Sequence, residues 1–161
     1  MKIENLLDEY YKKNLKKTSL WTVKYLKKEN FPQEVIDFYS NYEVESFATD
    51  YKGLEFLSKN DMQEENKDYV PGAYIYPLGF KIFAKDFSGN PCCIDTQKKL
   101  TDNGIVFFYN GGFDEDSSEE EILKYAAVVA PSFDEFIKVL MELPEEGGFD
   151  KLADELIAQM G

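Results

Sequence analysis

The chain has 161 residues, of which 43% are hydrophobic and 16% aromatic, and its formal net charge is −13. This composition and the lack of repeats exclude collagen-like, low-complexity and wholly disordered chains. No apolar run approaches the roughly 18 residues of a membrane-spanning helix.

Histidine is absent, and all 18 cations are lysine. Without histidine there is no Ser-His-Asp or Cys-His nucleophile and no His-ligated zinc. Without arginine there is no bidentate guanidinium binding of phosphate or carboxylate. Carboxylate, lysine, cysteine or tyrosine chemistry remains possible in principle. Since most enzyme templates are excluded, we expect no catalytic residues, no metal and no cofactor.

Helices are predicted at the N-terminal end of the chain. Residues 1–28 show two groups of apolar side chains at helical spacing. These are Ile3, Leu6, Leu7 and Tyr10, and then Leu20, Trp21, Tyr25 and Leu26. The first residues contain acids and no apolar stretch, which does not fit a secretory signal, so we expect a cytoplasmic protein. Pro32 suits the first turn of a further helix over 32–42. The apolar stripe of that helix is Val35, Ile36, Tyr39 and Tyr42.

Strands dominate the middle of the chain. The predicted strands are 43–49, 54–57, 73–77, 80–87, 92–95, 105–109 and one within 122–130. Turns are predicted at 88–91 and 102–104, where glycine and asparagine accept positive φ, and a loop or short surface helix at 59–68. Residues 105–109 are apolar on both faces, which is typical of a strand in the interior of a sheet.

Helices return at the C-terminal end. Ser132 is followed three residues later by Glu135, as in a capping box, so a helix should begin at Phe133. Its apolar stripe is Phe133, Phe136, Ile137, Leu140 and Met141. Gly147 and Gly148 separate it from a final amphipathic helix over 149–160. The order predicts an α+β fold in one domain over 1–161: about six strands in an antiparallel or mixed sheet, flanked by N- and C-terminal helices.

Cys92 and Cys93 are the two cysteines of the chain. Adjacent cysteines do not have metal-site spacing, and on a strand their side chains point to opposite faces, which disfavours a disulfide between them. We therefore expect two reduced and mostly buried thiols.

Asp86 and Asp95 flank the predicted turn at 88–91. If they faced each other across a hairpin, they would form a carboxylate pair of the kind that performs acid–base chemistry. The alternative is that each is a strand-end acid that accepts hydrogen bonds from turn amides.

Negative charge is concentrated late in the chain. Residues 1–30 hold eight lysines and four acids, whereas residues 111–150 hold two lysines and twelve acids. Such a field repels nucleic acid and anionic membranes and attracts basic partners. The alternative is that the acids only keep the protein soluble.

The densest acidic run lies in a predicted loop over 110–121. Its acids, which we call the acidic segment (residues 114–121), are Asp114, Glu115, Asp116, Glu119, Glu120 and Glu121. A calcium loop of the EF-hand type does not fit, because Glu119 falls where glycine is needed. A solvated loop and a docking loop for a basic partner remain, and in the second case Tyr109 and Phe113 are candidate anchors.

Three segments carry a family resemblance. Residues 31–39 (FPQEVIDFY) begin a helix with proline in its first turn. Residues 79–95 (GFKIFAKDFSGNPCCID) form a hairpin around Asp-x-x-Gly-Asn, a strand follows from Gly104, and residues 130–137 (APSFDEFI) begin a helix. In this order and spacing they resemble the SUKH superfamily over about residues 20–141. The helix over 149–160 lies outside the resemblance.

The resemblance implies binding rather than catalysis. Many bacterial members look like immunity proteins, which neutralise a cognate toxin domain that is frequently a nuclease. Other members, including a fungal branch tied to cell-wall regulation, act as non-catalytic interaction scaffolds. We therefore expect an immunity protein whose acidic segment masks the basic surface of a toxin domain, with no direct contact to nucleic acid or membrane. A regulatory scaffold is the alternative.

Overall fold

A computed structural model describes residues 20–41 and 50–160. Within these residues the chain forms seven α-helices and one six-stranded sheet, which confirms the predicted α+β fold. The helices are α1 (Leu20–Lys28), α2 (Gln33–Asn41), α3 (Lys59–Lys67), α4 (Gly72–Ile75), α5 (Glu119–Leu123), α6 (Phe133–Glu142) and α7 (Gly148–Ala158). The strands are β1 (Asp50–Tyr51), β2 (Leu54–Phe56), β3 (Phe80–Asp86), β4 (Pro91–Asp95), β5 (Ile105–Phe108) and β6 (Ala126–Ala130). The predicted helix around residues 3–10 and the predicted strand 43–49 lie outside the described residues.

The sheet follows chain order from β1 to β6, and every neighbouring pair is antiparallel. The β3–β4 hairpin closes on the predicted turn, where Gly89 has φ 82. All four residues of β5 are buried between β4 and β6, which confirms its interior position.

Both faces of the sheet are covered, which explains why its central strands are apolar on both sides. On one face Phe83 packs against Phe133 of α6, with ring centroids 5.6 Å apart, and Phe107 packs against Phe149 of α7 at 6.1 Å. On the other face the rings of Phe80 and Phe108 lie 4.8 Å apart. Phe38 of α2 also packs against Phe56 of β2 at 5.5 Å, so N- and C-terminal helices both flank the sheet as predicted.

The strand predicted at 73–77 is wrong. The segment forms α4 and then a 3₁₀ turn, Tyr76–Leu78. Gly72 lies so close to α3 that a Cβ there would overlap the carbonyl oxygen of Glu65. The amides of Tyr74 and Ile75 bond to the Pro71 carbonyl, which starts a helical turn. The alternation of tyrosine and apolar residues is typical of a strand, but hydrogen bonds within the turn and the close contact with α3 favour the helical conformation.

Residues 59–68 adopt the helical alternative, and Ser58 caps α3 by accepting a hydrogen bond from the Asp61 amide. The Asn66 side chain of α3 is buried, accepts the Ile82 N–H at 2.7 Å and donates to the Ile82 carbonyl at 3.1 Å. The Leu57 amide makes the last strand-like bond before this point, to Phe83. The amide of Asn66 therefore continues the pairing of β3 where β2 ends.

The apolar stripe predicted for residues 20–26 is only half right. Tyr25 and Leu26 are buried, whereas Leu20 and Trp21 are 65% and 69% exposed. Among the described residues no helix has the length and apolar character to cross a membrane.

Candidate partner-binding surface

All six carboxylates of the acidic segment are exposed to solvent. The segment runs from the end of a 3₁₀ turn, Asn110–Gly112, into the first turn of α5. The prediction of a loop through residue 121 is therefore wrong for Glu119, Glu120 and Glu121, which are helical. Ser118 starts this helix by accepting the Glu121 amide at 3.2 Å, and carboxylates in a first helical turn are favoured by the helix dipole.

The first part of the acidic segment is held by its own hydrogen bonds. The Asp114 amide donates to Ser117 Oγ at 3.0 Å, and the Asp116 amide donates to Asp114 Oδ1 at 2.9 Å. These bonds order the loop without burying its charges. The segment thus presents acidic groups from a defined backbone.

One described lysine forms an ion pair with the acidic segment. Lys99 Nζ lies 2.6 Å from Glu119 Oε1, and both side chains remain partly exposed. An exposed pair of this kind contributes little to stability. Within residues 20–41 and 50–160, ion pairing therefore offsets only part of the negative charge of the segment.

The two predicted anchors have different environments. Tyr109 is half-buried, and its ring lies 6.3 Å from that of Tyr125. Phe113 is only 8% exposed and packs edge-on against Phe108 at 6.0 Å and Tyr74 at 6.5 Å. Phe113 thus attaches the acidic segment to the sheet, and Tyr109 is the predicted anchor that retains exposed surface.

Phe87 was not among the predicted partner-binding residues, but it is 67% exposed at the tip of the β3–β4 hairpin. The hairpin tip is joined to the base of the acidic segment through Asn110. Its side chain donates to the Ser88 carbonyl at 3.1 Å, and its amide donates to Asn90 Oδ1 at 3.0 Å. The signal was the position of Phe87 directly beside a turn, where a side chain has few neighbours.

Comparison with models of protein families identifies the family of this chain. A sequence model described as the SMI1/KNR4 family (SUKH-1) matches residues 24–139. The chain belongs to this family. The match starts inside α1 and ends inside α6, so α7 lies outside it, as the resemblance predicted. Comparisons with curated proteins and with solved structures give no match.

In this SUKH-1 chain the two hairpin aspartates do not form a carboxylate pair. Asp95 lies opposite Phe80, at the far end of the hairpin from Asp86, so the cross-strand pair, one of the two alternatives that the sequence left open, is not formed. The Asp86 carboxylate accepts the amides of Ser88 and Asn90, at 3.0 and 2.8 Å, and the side chain of Asn90. It therefore closes the β3–β4 turn.

Asp95 closes the next turn of the SUKH-1 fold in the same way. Its carboxylate is fully buried and accepts the backbone amides of residues 99–101. These bonds come from Lys99 at 3.0 Å, Leu100 at 2.7 Å and Thr101 at 2.9 Å. Both acids thus accept hydrogen bonds from turn amides, which is the alternative that the sequence left open.

Cys92 and Cys93 are free thiols and fully buried, as predicted. Burial raises the pKa of each thiol well above its usual range, and nearby charges add to the effect. Protonated thiols without access to solvent are packing residues of the sheet.

Proposed function

We propose that this SUKH-1 protein is an immunity protein that binds and neutralises a cognate bacterial toxin domain, a nuclease, by masking its basic surface. The observation that carries the proposal is the acidic segment: six exposed carboxylates on an ordered backbone, with one described lysine as a counter-charge. A nuclease needs a positively charged surface to bind phosphates, and that surface is complementary to the segment.

Charge and apolar contact have separate parts in this binding. The chain's net charge of −13 raises the rate of encounter with a basic partner. Salt screens exposed charges over about 8–10 Å, so tight binding also needs side chains that lose water at the interface. Phe87 and Tyr109 supply this contact beside the acidic segment.

Co-expression tests the proposal. Where a neighbouring gene encodes a large secreted protein, its C-terminal domain is expressed in bacteria with the chain, and growth and co-purification are measured. The control carries an early stop codon in the gene for the chain. We expect growth only with the intact chain and a complex that survives purification.

Absence of both rescue and co-purification contradicts the immunity function. A regulatory scaffold of the same fold would instead co-purify with a host protein and rescue nothing. That scaffold is the alternative that membership of the SMI1/KNR4 family supports.

A further inference from the structure

In the part of the chain that the structure describes, the β6 strand leaves one edge of the sheet open. It is the last strand in the sheet order, and its five residues include no charge and no proline, the devices that usually block an edge. Within residues 20–41 and 50–160, no backbone hydrogen bond reaches its outer side. The stretch of β3 that β2 does not pair with, by contrast, is covered by Asn66, which bonds to the backbone of Ile82.

The register defines which backbone groups face outward. The Tyr109 amide donates to the Tyr125 carbonyl at 2.9 Å, and Phe108 and Phe107 then lie opposite Ala126 and Ala127. Because bonded and non-bonded positions alternate in an antiparallel ladder, the N–H and C=O of Ala127 point to β5. Those of Ala126 and Val128 point away from the sheet.

Side chains and length fit one added strand. Val128 is 47% exposed, and Ala126 and Ala127, which precede it, are small enough for another backbone to approach. A bulge shifts the register between Val128 and Ala130, so the regular part of the edge is short. An extended segment of a few residues matches it.

The charges near the β6 edge indicate what kind of strand would pair with it. The edge follows Glu119–Glu121 of α5 and precedes Asp134 and Glu135 of α6, and all five carboxylates are exposed. Three lysines lie near them: the exposed Lys124 between α5 and β6, and Lys99 and Lys138, which form ion pairs with Glu119 and Glu135. The acids outnumber these lysines. If a second copy of the chain paired its β6 edge with this one, the acidic residues at the ends of the two strands would lie opposite each other and repel. A strand carrying lysines or arginines would meet them with opposite charge.

We propose that an extended basic segment of the toxin domain pairs with the outer edge of β6 as a seventh strand. This inference rests on the proposed function and names the contact through which it operates. Backbone groups of Ala126 and Val128 bond to the segment. Its apolar side chains contact Val128, and its basic side chains lie near the acids at the two ends.

A peptide probe tests the edge without the toxin. The probe is an eight-residue peptide that alternates lysine and valine, and the control peptide alternates glutamate and valine. Amide hydrogen exchange of the full chain is followed by NMR. We expect the lysine peptide to slow exchange at Ala126 and Val128 about tenfold or more, leaving Ala127 protected throughout. The inference is overturned if both peptides slow amide exchange equally or if neither does. It is also overturned if raising the protein concentration alone slows exchange at these residues, because a second copy would then occupy the edge.

A matched pair of variants tests the same edge in the toxin complex. Val128→Pro removes an N–H that faces outward, which an edge strand tolerates, whereas Val128→Thr keeps the N–H and the side-chain shape. We expect V128P to weaken the complex about tenfold or more and V128T to weaken it less than about threefold. Unchanged protection of Ala127 in V128P shows that the sheet is intact. Equal binding of V128P and the unmodified chain overturns the edge contact.

The two proposals fail separately. Growth rescue with undiminished binding of V128P retains the immunity function and overturns the seventh strand. Protection of the edge by the lysine peptide without any growth rescue retains the edge as a site for basic strands and overturns its assignment to a toxin.

Discussion

Lys52 is buried although its side chain ends in an ammonium group. It lies in the turn between β1 and β2, where it has φ 54 and Gly53 has φ 94. Its Nζ donates to the carbonyls of Leu140, Met141 and Leu143, at 3.1, 2.8 and 2.8 Å. The last carbonyls of a helix have no partner within it, so this one side chain completes the end of α6 and ties it to the sheet.

Replacing Lys52 with methionine should lower the free energy of unfolding by about 2–3 kcal/mol, because one buried and two partly buried carbonyls lose a charged donor. Denaturant unfolding measures the change. Lys98→Met is the matched control, since Lys98 also has positive φ, 53°, but a side chain that is 70% exposed. A loss in the control as large as that in Lys52→Met would contradict the role of the carbonyl contacts.

At the scale of elements, Glu29 joins the end of α1 to the sheet and to the turn after α4. Tyr76 Oη donates to Glu29 Oε2 at 2.6 Å and Lys81 Nζ lies 3.2 Å from the same oxygen, while Lys67 lies 3.6 Å from Oε1. Burial by itself raises the pKa of Glu29, but these hydrogen bonds and lysine charges outweigh it and bring the pKa below its usual value of 4.5. Burial and the neighbouring Glu29 raise the pKa of Tyr76 to about 12.

The lowered pKa of Glu29 gives its contribution to stability a defined pH dependence. The contribution is complete above the unfolded value of 4.5 and is lost as pH falls through the lower folded value. Glu29→Gln should therefore lower the free energy of unfolding by about 1–3 kcal/mol at pH 7, where hydrogen bonds to a charged acceptor are lost. The difference from the unmodified chain should shrink as pH falls below 4.5.

Denaturant unfolding at a series of pH values measures this convergence. Glu64→Gln is the control, because Glu64 is exposed on α3. A difference between Glu29→Gln and the unmodified chain that stays constant down to pH 3 would show that Glu29 acts by packing alone.

For the whole molecule, the position of charge matters more than its sum if the acidic segment forms the interface. Replacing Glu119, Glu120 and Glu121 with glutamine should slow association with the toxin domain about tenfold at low salt and flatten its salt dependence. The control replaces Glu142, Glu145 and Glu146 with glutamine. These residues are also exposed, and their replacement removes the same amount of charge. Stopped-flow association over a range of salt concentrations measures both triple variants. Equal slowing by the two would show that only net charge steers the encounter.

Local signals predicted most of the fold. The Ser132 cap bonds to the Glu135 amide as expected, and the turn at 88–91 followed from residues near one another in the chain. The sheet was predicted as antiparallel or mixed, and the structure has the antiparallel form. The strand predicted at 73–77 was wrong because the close approach of Gly72 to α3 outweighed the alternation that favours a strand.

The candidate surface was predicted in part. The acids of residues 114–121 are exposed, but Phe113 is buried and Phe87 is exposed, although both were aromatic residues beside a turn. Which of two similar aromatic side chains enters the core depends on the neighbours that the rest of the chain brings to it. For Phe113 these are Phe108 and Tyr74.

The sequence alone determined the available chemistry, because a chain without histidine and arginine and with a charge of −13 keeps those properties in any fold. It also determined most element types, since caps, turns and periodicity act over a few residues. The tertiary structure decided that Asp86 and Asp95 serve separate turns and that Lys52 closes α6. It also decided that β6 is the last strand of the sheet, with no further strand beside it among the described residues. These features depend on pairing between residues distant in the chain, and no local pattern specifies such pairing.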